Sequence, residues 1–288
     1  MAAAVRAGGG SLVPADQATA LVWSAPDDPA GLAELLRTHR SLDWVQLPWA
    51  GVEPYRGVLD DRRRWTCGKG VYAEPVAELA LALLLAGLRG VAHYARADRW
   101  SAERGTSLFG GSVTIVGGGG IAGVLARLLA PFRARVTVVR RHPRAMEGVD
   151  EVLGPADLVS SLAGADGVVL ALPLVPDTLG IIGPAELAVM EDHAWLVNVA
   201  RGAHVDTGAL VDALRAGTIG GAALDVTDPE PLPTGHPLWS LPNCLITPHV
   251  GNTSEMAVPL LSARIAENVR RYGAGEPLLG AVDPALGY

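Results

Sequence analysis

The sequence predicts an α/β protein with a doubly wound parallel sheet and a second, smaller α/β domain. From about residue 110 onward, short β-branched runs that end in Gly, Pro or Asp alternate with longer stretches rich in Ala and Leu. Before residue 73 the alternation is weaker, with LVWSAP and LDWVQLP as strands and AGLAELLRTHR as a helix between them. Such alternation is typical of βαβ units, in which helices cover both faces of a parallel sheet.

The predicted elements assign the chain to two domains. The strands of the larger domain are Val113 to Val116, Arg135 to Val139, Gly167 to Ala171, Trp195 to Val199, Gly221 to Val226 and Cys244 to Thr247. Helical spacing is found at Glu74 to Arg89, Ile121 to Leu129 and Glu255 to Tyr272. We therefore expect a larger domain over residues 73–253 and a smaller one over residues 1–72 and 254–288.

Composition excludes several classes of protein. The chain has 288 residues, 49% of them hydrophobic, and a mean hydropathy of +0.28, which is enough to form a core. A net charge of −7, with no basic run interleaved with aromatic residues, argues against nucleic-acid binding. The arginine cluster at Asp61 to Trp65 is expected to be a solvated loop.

Cysteine content and hydropathy indicate the compartment. Cys67 and Cys244 are the only cysteines and lack metal-ligand spacing, so neither a disulfide framework nor a metal site is predicted. The most apolar segment, Leu79 to Leu88, is about half the length needed to cross a bilayer. No signal-peptide pattern is evident at the N-terminus. We expect a soluble cytoplasmic protein without a membrane partner.

The stretch TIVGGGGIAG places four glycines between a predicted strand and a predicted helix. Gly117 and Gly119 occupy the first two positions of a GxGxxG/A pattern, and Ala122 occupies the third, which packs the helix on the sheet. The following residues, Gly120 and Ile121, would present backbone N–H groups at the positive end of the helix, where a pyrophosphate binds. A P-loop is excluded because no Lys-Ser/Thr pair follows. The pattern predicts a dinucleotide-binding Rossmann domain.

The end of the next strand predicts which dinucleotide binds. NAD-specific Rossmann domains carry an acidic residue about 20 residues past the glycines, where it binds the ribose hydroxyls. Here the strand RVTVV is followed by Arg140 and Arg141, which could instead receive the 2′-phosphate of NADP. NADP is therefore the preferred prediction. If the arginines only stack on the adenine, NAD would also be accepted.

Three polar motifs follow later strands of the predicted sheet, where ligands bind in open α/β folds. They place Arg201 in LVNVARGAHVD, Glu230 in AALDVTDPEPLP and His249 in LITPHVGNTS. Singly, each residue has a structural explanation. Together, a guanidinium can bind a carboxylate, an imidazole can exchange a proton, and a carboxylate can orient the imidazole. With a dinucleotide, this set suits hydride transfer to or from a 2-oxo or 2-hydroxy acid.

These motifs, in their order and spacing, resemble the D-isomer-specific 2-hydroxyacid dehydrogenase family. The segments that carry the resemblance are TIVGGGGIAG, LPLVPDTLGIIG, NVARGAHVDTGALVDAL, AALDVTDPEPLP and TPHVGNTS. In addition, KGVYAEPVAELALALLLA is similar to the family's interdomain and dimer helix, and LDWVQLPWAGVE to its substrate-side loop. The match covers roughly residues 42 to 285. It implies a homodimer with a flavodoxin-like substrate domain.

The resemblance also implies roles for individual residues. Arg201 matches the substrate-binding arginine, Glu230 the carboxylate partner and His249 the acid/base. The implied cofactor contacts beyond the glycines and arginines are Pro173, Thr178, Val199, Ala200, Asp225 (near the nicotinamide amide) and Gly251. The implied substrate contacts besides Arg201 are Trp49, Ala50, Gly51 and Val71. The expected activity is NAD(P)-dependent reduction of 2-oxo acids similar to glyoxylate and hydroxypyruvate.

Some residues depart from the family pattern. The region before LDWVQ is shorter than the usual substrate domain, so that domain is expected to be trimmed. Trp49, Cys67 and Lys69 replace smaller or more polar residues, and Trp49 would partly fill the substrate pocket. His204 stands where an aliphatic residue is common, and we expect it to be a structural neighbour of the site.

Two alternative functions stay open from sequence alone. A phosphoglycerate-type dehydrogenase would need cations for the substrate phosphate, and Lys69 or Arg62 to Arg64 are the candidates. A non-enzymatic protein that senses the dinucleotide state could use the same fold. Dinucleotide-dependent association with another protein, without turnover, would favour that reading.

Overall fold

The computed structural model describes residues 1–287. They form two compact units, one comprising Met1–Tyr72 with the chain from Asn252 onward, and the other comprising Ala73–Gly251. The strands in chain order are β1 (Ala20–Val22), β2 (Trp44–Gln46), β3 (Arg64–Thr66), β4 (Ser112–Val116), β5 (Arg135–Val139), β6 (Glu151–Leu153), β7 (Gly167–Leu170), β8 (Trp195–Asn198), β9 (Gly221–Leu224) and β10 (Cys244–Ile246). The helices are α1 (Ala2–Ala7), α2 (Pro29–Thr38), α3 (Ala73–Leu88), α4 (Val91–Ala95), α5 (Gly120–Leu129), α6 (Leu158–Leu162), α7 (Pro184–Val189), α8 (Thr207–Ala216) and α9 (Ser254–Ala274).

Both units contain an all-parallel sheet, which confirms the predicted fold class. The larger sheet has seven strands in the order β10-β9-β8-β7-β4-β5-β6, and the smaller has three in the order β1-β2-β3. In the larger sheet the chain starts at β4, proceeds outward through β5 and β6, and returns to the other side with β7. The crevice beside β4 is the point where the strand order reverses, and ligands of doubly wound sheets bind there.

Small residues let α3 lie close to the large sheet. A Cβ on Gly87 would overlap the indole of Trp195 in β8, and a Cβ on Gly167 in β7 would press on Leu84 of the helix. Leu84 is fully buried. The strands β7, β8 and β9 are buried along their whole length, as expected for a sheet covered on both faces.

A buried polar network holds α9 in the smaller unit. The side-chain amide of Asn268 donates to Gln46 Oε1 at 3.0 Å, and the same oxygen accepts from Thr66 Oγ1 at 2.8 Å. Trp44 Nε1 in turn donates to Thr66 Oγ1 at 2.8 Å. These four side chains are almost inaccessible to solvent, and their hydrogen bonds offset the cost of burying polar atoms.

The interpretation of the arginine cluster as a solvated loop is confirmed only for its first part, because Asp61 and Arg62 lie in an exposed turn. Arg64 begins β3, and the side chain of Arg63 is only 6% exposed, where it pairs with Asp60. Arg63 also donates to the carbonyl oxygens of Leu36, at 2.9 Å, and Leu42, at 3.2 Å. A buried guanidinium is tolerated here because its donors are used.

Strand ends were the other difference from prediction. The predicted strands Gly167 to Ala171, Trp195 to Val199 and Gly221 to Val226 extend one or two residues beyond the observed β7, β8 and β9. Most of the extra residues are apolar, and Ala171, Val199 and Asp225 still donate backbone hydrogen bonds to the neighbouring strand, but the chain turns into loops there. The short strand β6 was missed because Glu151–Leu153 is too short to show periodicity.

A histidine–aspartate pair lies at the amino-terminal edge of the large sheet. His193 Nε2 lies 2.9 Å from Asp166 Oδ1, and Asp166 Oδ2 accepts from the backbone N–H of Ser112 at 2.7 Å. The hydrogen bond to Asp166 raises the pKa of His193 above its ordinary value. The protonated histidine therefore stabilises the folded state.

We expect the free energy of unfolding to fall as pH rises from about 6.5, the unfolded histidine value, through the raised pKa of His193. The fall should not exceed about 1 kcal/mol, because the side chain is 42% exposed and solvent screens the pair. Urea unfolding of the wild type and of His193→Gln at about pH 6 and about pH 8.5 measures it. His142→Gln, at an exposed histidine, is the control. A wild-type pH dependence unaltered by His193→Gln would contradict this assignment.

Candidate active site

The carboxyl edge of the large sheet brings the three polar motifs side by side. Arg201 follows β8, Asp225 follows β9 and His249 follows β10, and these three strands are consecutive neighbours in the sheet. Because the strands are parallel, all three residues emerge at the same edge. The backbone of each loop bonds to the next, with Asp225 N donating to Asn198 O at 2.9 Å and Thr247 N to Leu224 O at 2.9 Å.

His249 and Glu230 form a hydrogen-bonded pair. His249 Nδ1 lies 2.6 Å from Glu230 Oε1, and the other carboxylate oxygen is 3.4 Å from the backbone nitrogen of Thr227. About half of the imidazole, 51%, is exposed. A carboxylate on Nδ1 fixes the ring orientation and leaves Nε2 as the nitrogen that can exchange a proton with a ligand.

Asp225 holds the turn that carries His249. Its carboxylate accepts from Thr247 Oγ1 at 2.6 Å, from Val250 N at 2.9 Å and from Gly251 N at 2.9 Å, while its backbone oxygen accepts from His249 N at 2.8 Å. Asp225 is 3% exposed. His249 has a left-handed backbone with φ of 53°, which is uncommon for a residue other than glycine and which these hydrogen bonds support. The geometry therefore gives Asp225 a positioning role, and the cofactor contact that the sequence resemblance implies for it stays a prediction.

Arg201 extends from a loop that Asn198 organises. The Asn198 side chain donates to Arg201 O at 2.8 Å and accepts from Ala200 N at 3.0 Å. Arg201 Nη1 donates to Ala200 O at 2.7 Å. Ala200 and the preceding Val199 are buried, so they anchor the loop rather than expose side chains.

Gly202 joins the Arg201 loop to the Glu230 loop. A Cβ at this position would overlap the backbone of Thr227 and Asp228, so only glycine permits the contact. Thr227 also supports Glu230 through the long backbone contact described above. The Arg201 and Glu230 loops are therefore packed backbone to backbone.

The glycine turn has the geometry that close approach of a phosphate requires. Gly117 has φ of 116°, and a Cβ there would overlap the carbonyl of Ala171 at the end of β7. Gly119 caps α5 in an extended conformation, so Gly120 and Ile121 open the helix with their N–H groups directed out of its end. Ala122 is fully buried.

Arg140 and Arg141 have different environments. The side chain of Arg140 lies over Gly118, where an added Cβ would come within 2.7 Å of its Cδ. Arg141 pairs instead with Asp177, with Nη2 2.9 Å from Oδ2. Gly118 and Asp177 were not identified from the sequence, since neither belongs to a residue pattern that marks this contact.

His204 connects the Arg201 loop to the loop that carries Pro173 and Thr178. Its Nδ1 is 2.9 Å from Thr178 O and its Nε2 is 3.2 Å from Leu172 O, and the ring is fully buried. Thr178 Oγ1 donates to Pro173 O at 2.8 Å, which closes that loop on itself. An aliphatic residue could not bond to these carbonyls, so the histidine is a specific link between the two loops.

The other predicted substrate residues lie in the smaller unit, after β2 and β3. Trp49 is 38% exposed, and its carbonyl accepts from Gly68 N at 2.8 Å. The Cys67 thiol donates to Ala50 O at 3.5 Å, and Val71 N donates to Gly68 O at 2.9 Å. Gly51 follows directly in this loop. The two loops are thus joined at the carboxyl edge of the small sheet.

Within residues 1–287, no group of three or more His, Cys, Asp or Glu side chains could hold a metal ion. None of the described helices is both long and apolar enough for a membrane span.

The glycine turn at a strand-order reversal is typical of a dinucleotide-binding domain, and together with a histidine–carboxylate pair at the same sheet edge it indicates a dinucleotide-dependent oxidoreductase. A family profile described as "D-isomer specific 2-hydroxyacid dehydrogenase, NAD binding domain" matches residues 79–251. The chain belongs to this family, which confirms the resemblance noted in the sequence.

Three named relatives extend the comparison. A glyoxylate/hydroxypyruvate reductase A from Serratia proteamaculans is 31% identical over 96% of this chain and 88% of its own. A 2-hydroxyacid dehydrogenase from Xanthobacter autotrophicus Py2, solved with NADPH and MES, has a TM-score of 0.85 and 32% identity over 99% of this chain and 94% of its own. An NADPH-dependent glyoxylate/hydroxypyruvate reductase from Sinorhizobium meliloti was solved with NADP and sulfate. It has a TM-score of 0.82 and 28% identity, over 100% of this chain and 96% of its own.

Proposed function

We propose that this enzyme reduces small 2-oxo acids, such as glyoxylate and hydroxypyruvate, to 2-hydroxy acids of the D configuration with NADPH. The observation that carries the proposal is the 2.6 Å contact between His249 and Glu230, on the sheet edge that also carries Arg201. The reductases named above, which share most of their length with this chain, support it.

The side chains supply binding and proton transfer. The Arg201 guanidinium can hold the substrate carboxylate with two parallel hydrogen bonds and polarise the adjacent carbonyl. His249 can donate the Nε2 proton to the carbonyl oxygen, while Glu230 on Nδ1 stabilises the imidazolium before transfer. A reduced nicotinamide, when bound, supplies the hydride for the carbonyl carbon. The glycine turn fits the dinucleotide, because a Cβ on Gly119 would enter open space at the amino end of α5, where a phosphate binds.

Steady-state assays of the purified protein test the proposal. Glyoxylate, hydroxypyruvate, pyruvate and larger 2-oxo acids are supplied with NADPH or NADH, and dinucleotide oxidation is followed. We expect turnover with NADPH on several of them. Absence of turnover with every substrate and both dinucleotides, in a protein that still binds NADPH, would reject a 2-oxo acid reductase.

Selectivity for NADPH is the cofactor prediction. A charged hydrogen bond from Arg140 to the 2′-phosphate contributes roughly tenfold to a hundredfold in affinity. We expect kcat/KM to favour NADPH, and the double variant Arg140→Asp, Arg141→Ala to lose or invert that preference. Because Arg141 already pairs with Asp177, Arg140→Asp alone should account for most of the change.

Comparison of kcat/KM for NADPH and NADH in each variant measures this selectivity. Arg144→Ala, at an exposed arginine of the same loop, is the matched control and should keep the wild-type ratio. A wild type that prefers NADH would refute the assignment of Arg140.

We also propose that the enzyme is a cytoplasmic homodimer. The α3 face carries Leu81 and Leu85, which stay partly exposed, and Val91 and Trp100 downstream are 52% and 101% exposed. Such an apolar surface suits burial against a second copy.

The two cysteines are free thiols, consistent with a reducing compartment.

Light scattering at micromolar concentration measures the assembly. We expect the wild type to have the mass of two chains, and Val91→Glu with Trp100→Glu to shift it toward one chain. Leu179→Glu, which places the same charge at another exposed apolar residue, should leave the mass unchanged. A monomeric wild type would contradict the homodimer.

The phosphoglycerate alternative is disfavoured by the arginine cluster. Arg63 and Arg64 pair with Asp60 and Asp43, and Arg62 donates to the carbonyl oxygen of Arg40 at 2.6 Å. These guanidinium groups already have partners inside the smaller unit. A substrate phosphate would have to displace them.

A further inference from the structure

An ion pair joins the two loops that flank the glycine turn of the larger unit. Arg141 lies just after β5, Asp177 lies in the loop after β7, and Arg141 Nη2 is 2.9 Å from Asp177 Oδ2. In the sheet, β4 lies between β5 and β7, and its carboxyl end leads into the glycine turn. Because neighbouring strands are about 4.8 Å apart, these two loops start about 10 Å from each other. The ion pair therefore connects the two sides of the turn, at the edge where dinucleotides of doubly wound sheets bind.

Both charges stand next to residues that we expect to contact the adenosine end of the dinucleotide. Arg141 directly follows Arg140, whose side chain lies over Gly118 in the glycine turn. Asp177 directly precedes Thr178, which the family resemblance assigns to the cofactor. A 2′-phosphate held by Arg140 is therefore expected to meet both members of the ion pair.

The carboxylate and the 2′-phosphate compete for one guanidinium. The side chains of Arg141 and Asp177 are 43% and 79% exposed, so water screens their attraction. Exposed ion pairs of this kind contribute about fivefold or less to an equilibrium constant. A phosphate accepts stronger, bidentate hydrogen bonds from arginine, so it can displace the carboxylate. Displacement subtracts the strength of the ion pair from the affinity for NADPH, whereas NADH has no 2′-phosphate and requires no exchange.

We propose that Asp177 limits the selectivity for NADPH by competing with the 2′-phosphate for Arg141. The proposal rests on the function proposed above and adds to it a residue that determines cofactor specificity. Arg140 receives the phosphate directly, and Arg141 contributes only after it leaves Asp177. The strength of the ion pair then sets how far the enzyme discriminates against NADH.

Removal of the carboxylate charge should sharpen the selectivity. In Asp177→Asn the side chain keeps its size, but its amide no longer competes as an anion for Arg141. We expect the Kd for NADPH to fall by about threefold to fivefold, and the Kd for NADH to stay within about twofold of the wild-type value. Titration of the purified protein with each dinucleotide, followed by nicotinamide fluorescence, measures both Kd values without turnover.

A second background shows whether Asp177 acts through Arg141. In Arg141→Ala the guanidinium is absent, so adding Asp177→Asn should change the ratio of the two Kd values by less than about twofold at about 0.15 M salt, where direct repulsion is screened. Glu147→Gln removes the same charge from an exposed position between β5 and β6 and is the matched control. It should leave the ratio at the wild-type value.

The outcomes separate this inference from the function beneath it. A wild type that binds neither dinucleotide would reject the proposed function and the role of Asp177 together. The role of Asp177 alone would be overturned if the wild type binds NADPH but Asp177→Asn leaves the Kd ratio unchanged or weakens both dinucleotides alike. A rise of equal size with and without Arg141 would also overturn it, because the carboxylate would then act by repelling the phosphate.

Discussion

Replacing His249 with alanine is expected to lower kcat by about 10²- to 10⁴-fold, because a positioned acid/base contributes that much to proton transfer. NADPH binding should stay near the wild-type value, since the imidazole is bonded to Glu230 and is separate from the glycine turn. Stopped-flow turnover and fluorescence titration of NADPH measure the two quantities separately. Glu230→Gln should give a smaller loss, because the amide can still hold the ring but carries no charge.

A histidine elsewhere in the same region provides the control. Within residues 1–287, the His236 side chain makes one hydrogen bond, in which its Nδ1 accepts from the backbone N–H of Leu238 at 3.3 Å. His236→Ala should therefore keep wild-type kcat. Wild-type turnover in His249→Ala across the whole pH range would mean that another group supplies the proton.

Replacing Arg201 with alanine is expected to lower kcat/KM by about 10²- to 10³-fold, because a substrate carboxylate would lose a charged partner in a desolvated site. Arg201→Lys keeps the charge but not the planar fork, so it should recover only part of the loss. The effect should fall on both KM and kcat, since the guanidinium binds the carboxylate and polarises the carbonyl.

Kinetics with a single 2-oxo acid at saturating NADPH measure the Arg201 effect. Arg215→Ala, at an exposed arginine of α8, is the matched control and should retain wild-type kinetics. If Arg201→Ala kept the wild-type KM for the 2-oxo acid, the carboxylate would have to bind elsewhere.

The fold could be predicted wherever the residue pattern of a segment and its place in the strand–helix alternation indicate the same element. The strand Arg135–Val139 was predicted to the residue, because its β-branched alternation is uninterrupted and a glycine turn precedes it by one helix. Parallel pairing followed from the strand and helix alternation, since βαβ crossovers permit no other arrangement. The juxtaposition of Arg201, Glu230 and His249 followed in turn from the position of each motif after its strand.

The side-chain partners could not be predicted in the same way. The cofactor contact implied for Asp225 gave no sign that its carboxylate also binds three groups of the His249 turn, namely the Thr247 hydroxyl and the N–H groups of Val250 and Gly251. Arg63 was expected in solvent, yet it is buried against carbonyls that only the folded chain brings together. Such contacts join residues that are distant in sequence and leave no periodic pattern.

The stereochemistry of the product tests the central claim most directly. Purified enzyme is given 2-oxobutanoate and NADPH, and the 2-hydroxybutanoate formed is separated by chiral chromatography while NADPH oxidation is followed. We predict one D-2-hydroxybutanoate for each NADPH oxidised, with the rate lowered about 10²- to 10⁴-fold in His249→Ala. Formation of the L isomer, or NADPH binding with no oxidation on this or any other 2-oxo acid, would contradict the assignment of Arg201, Glu230 and His249.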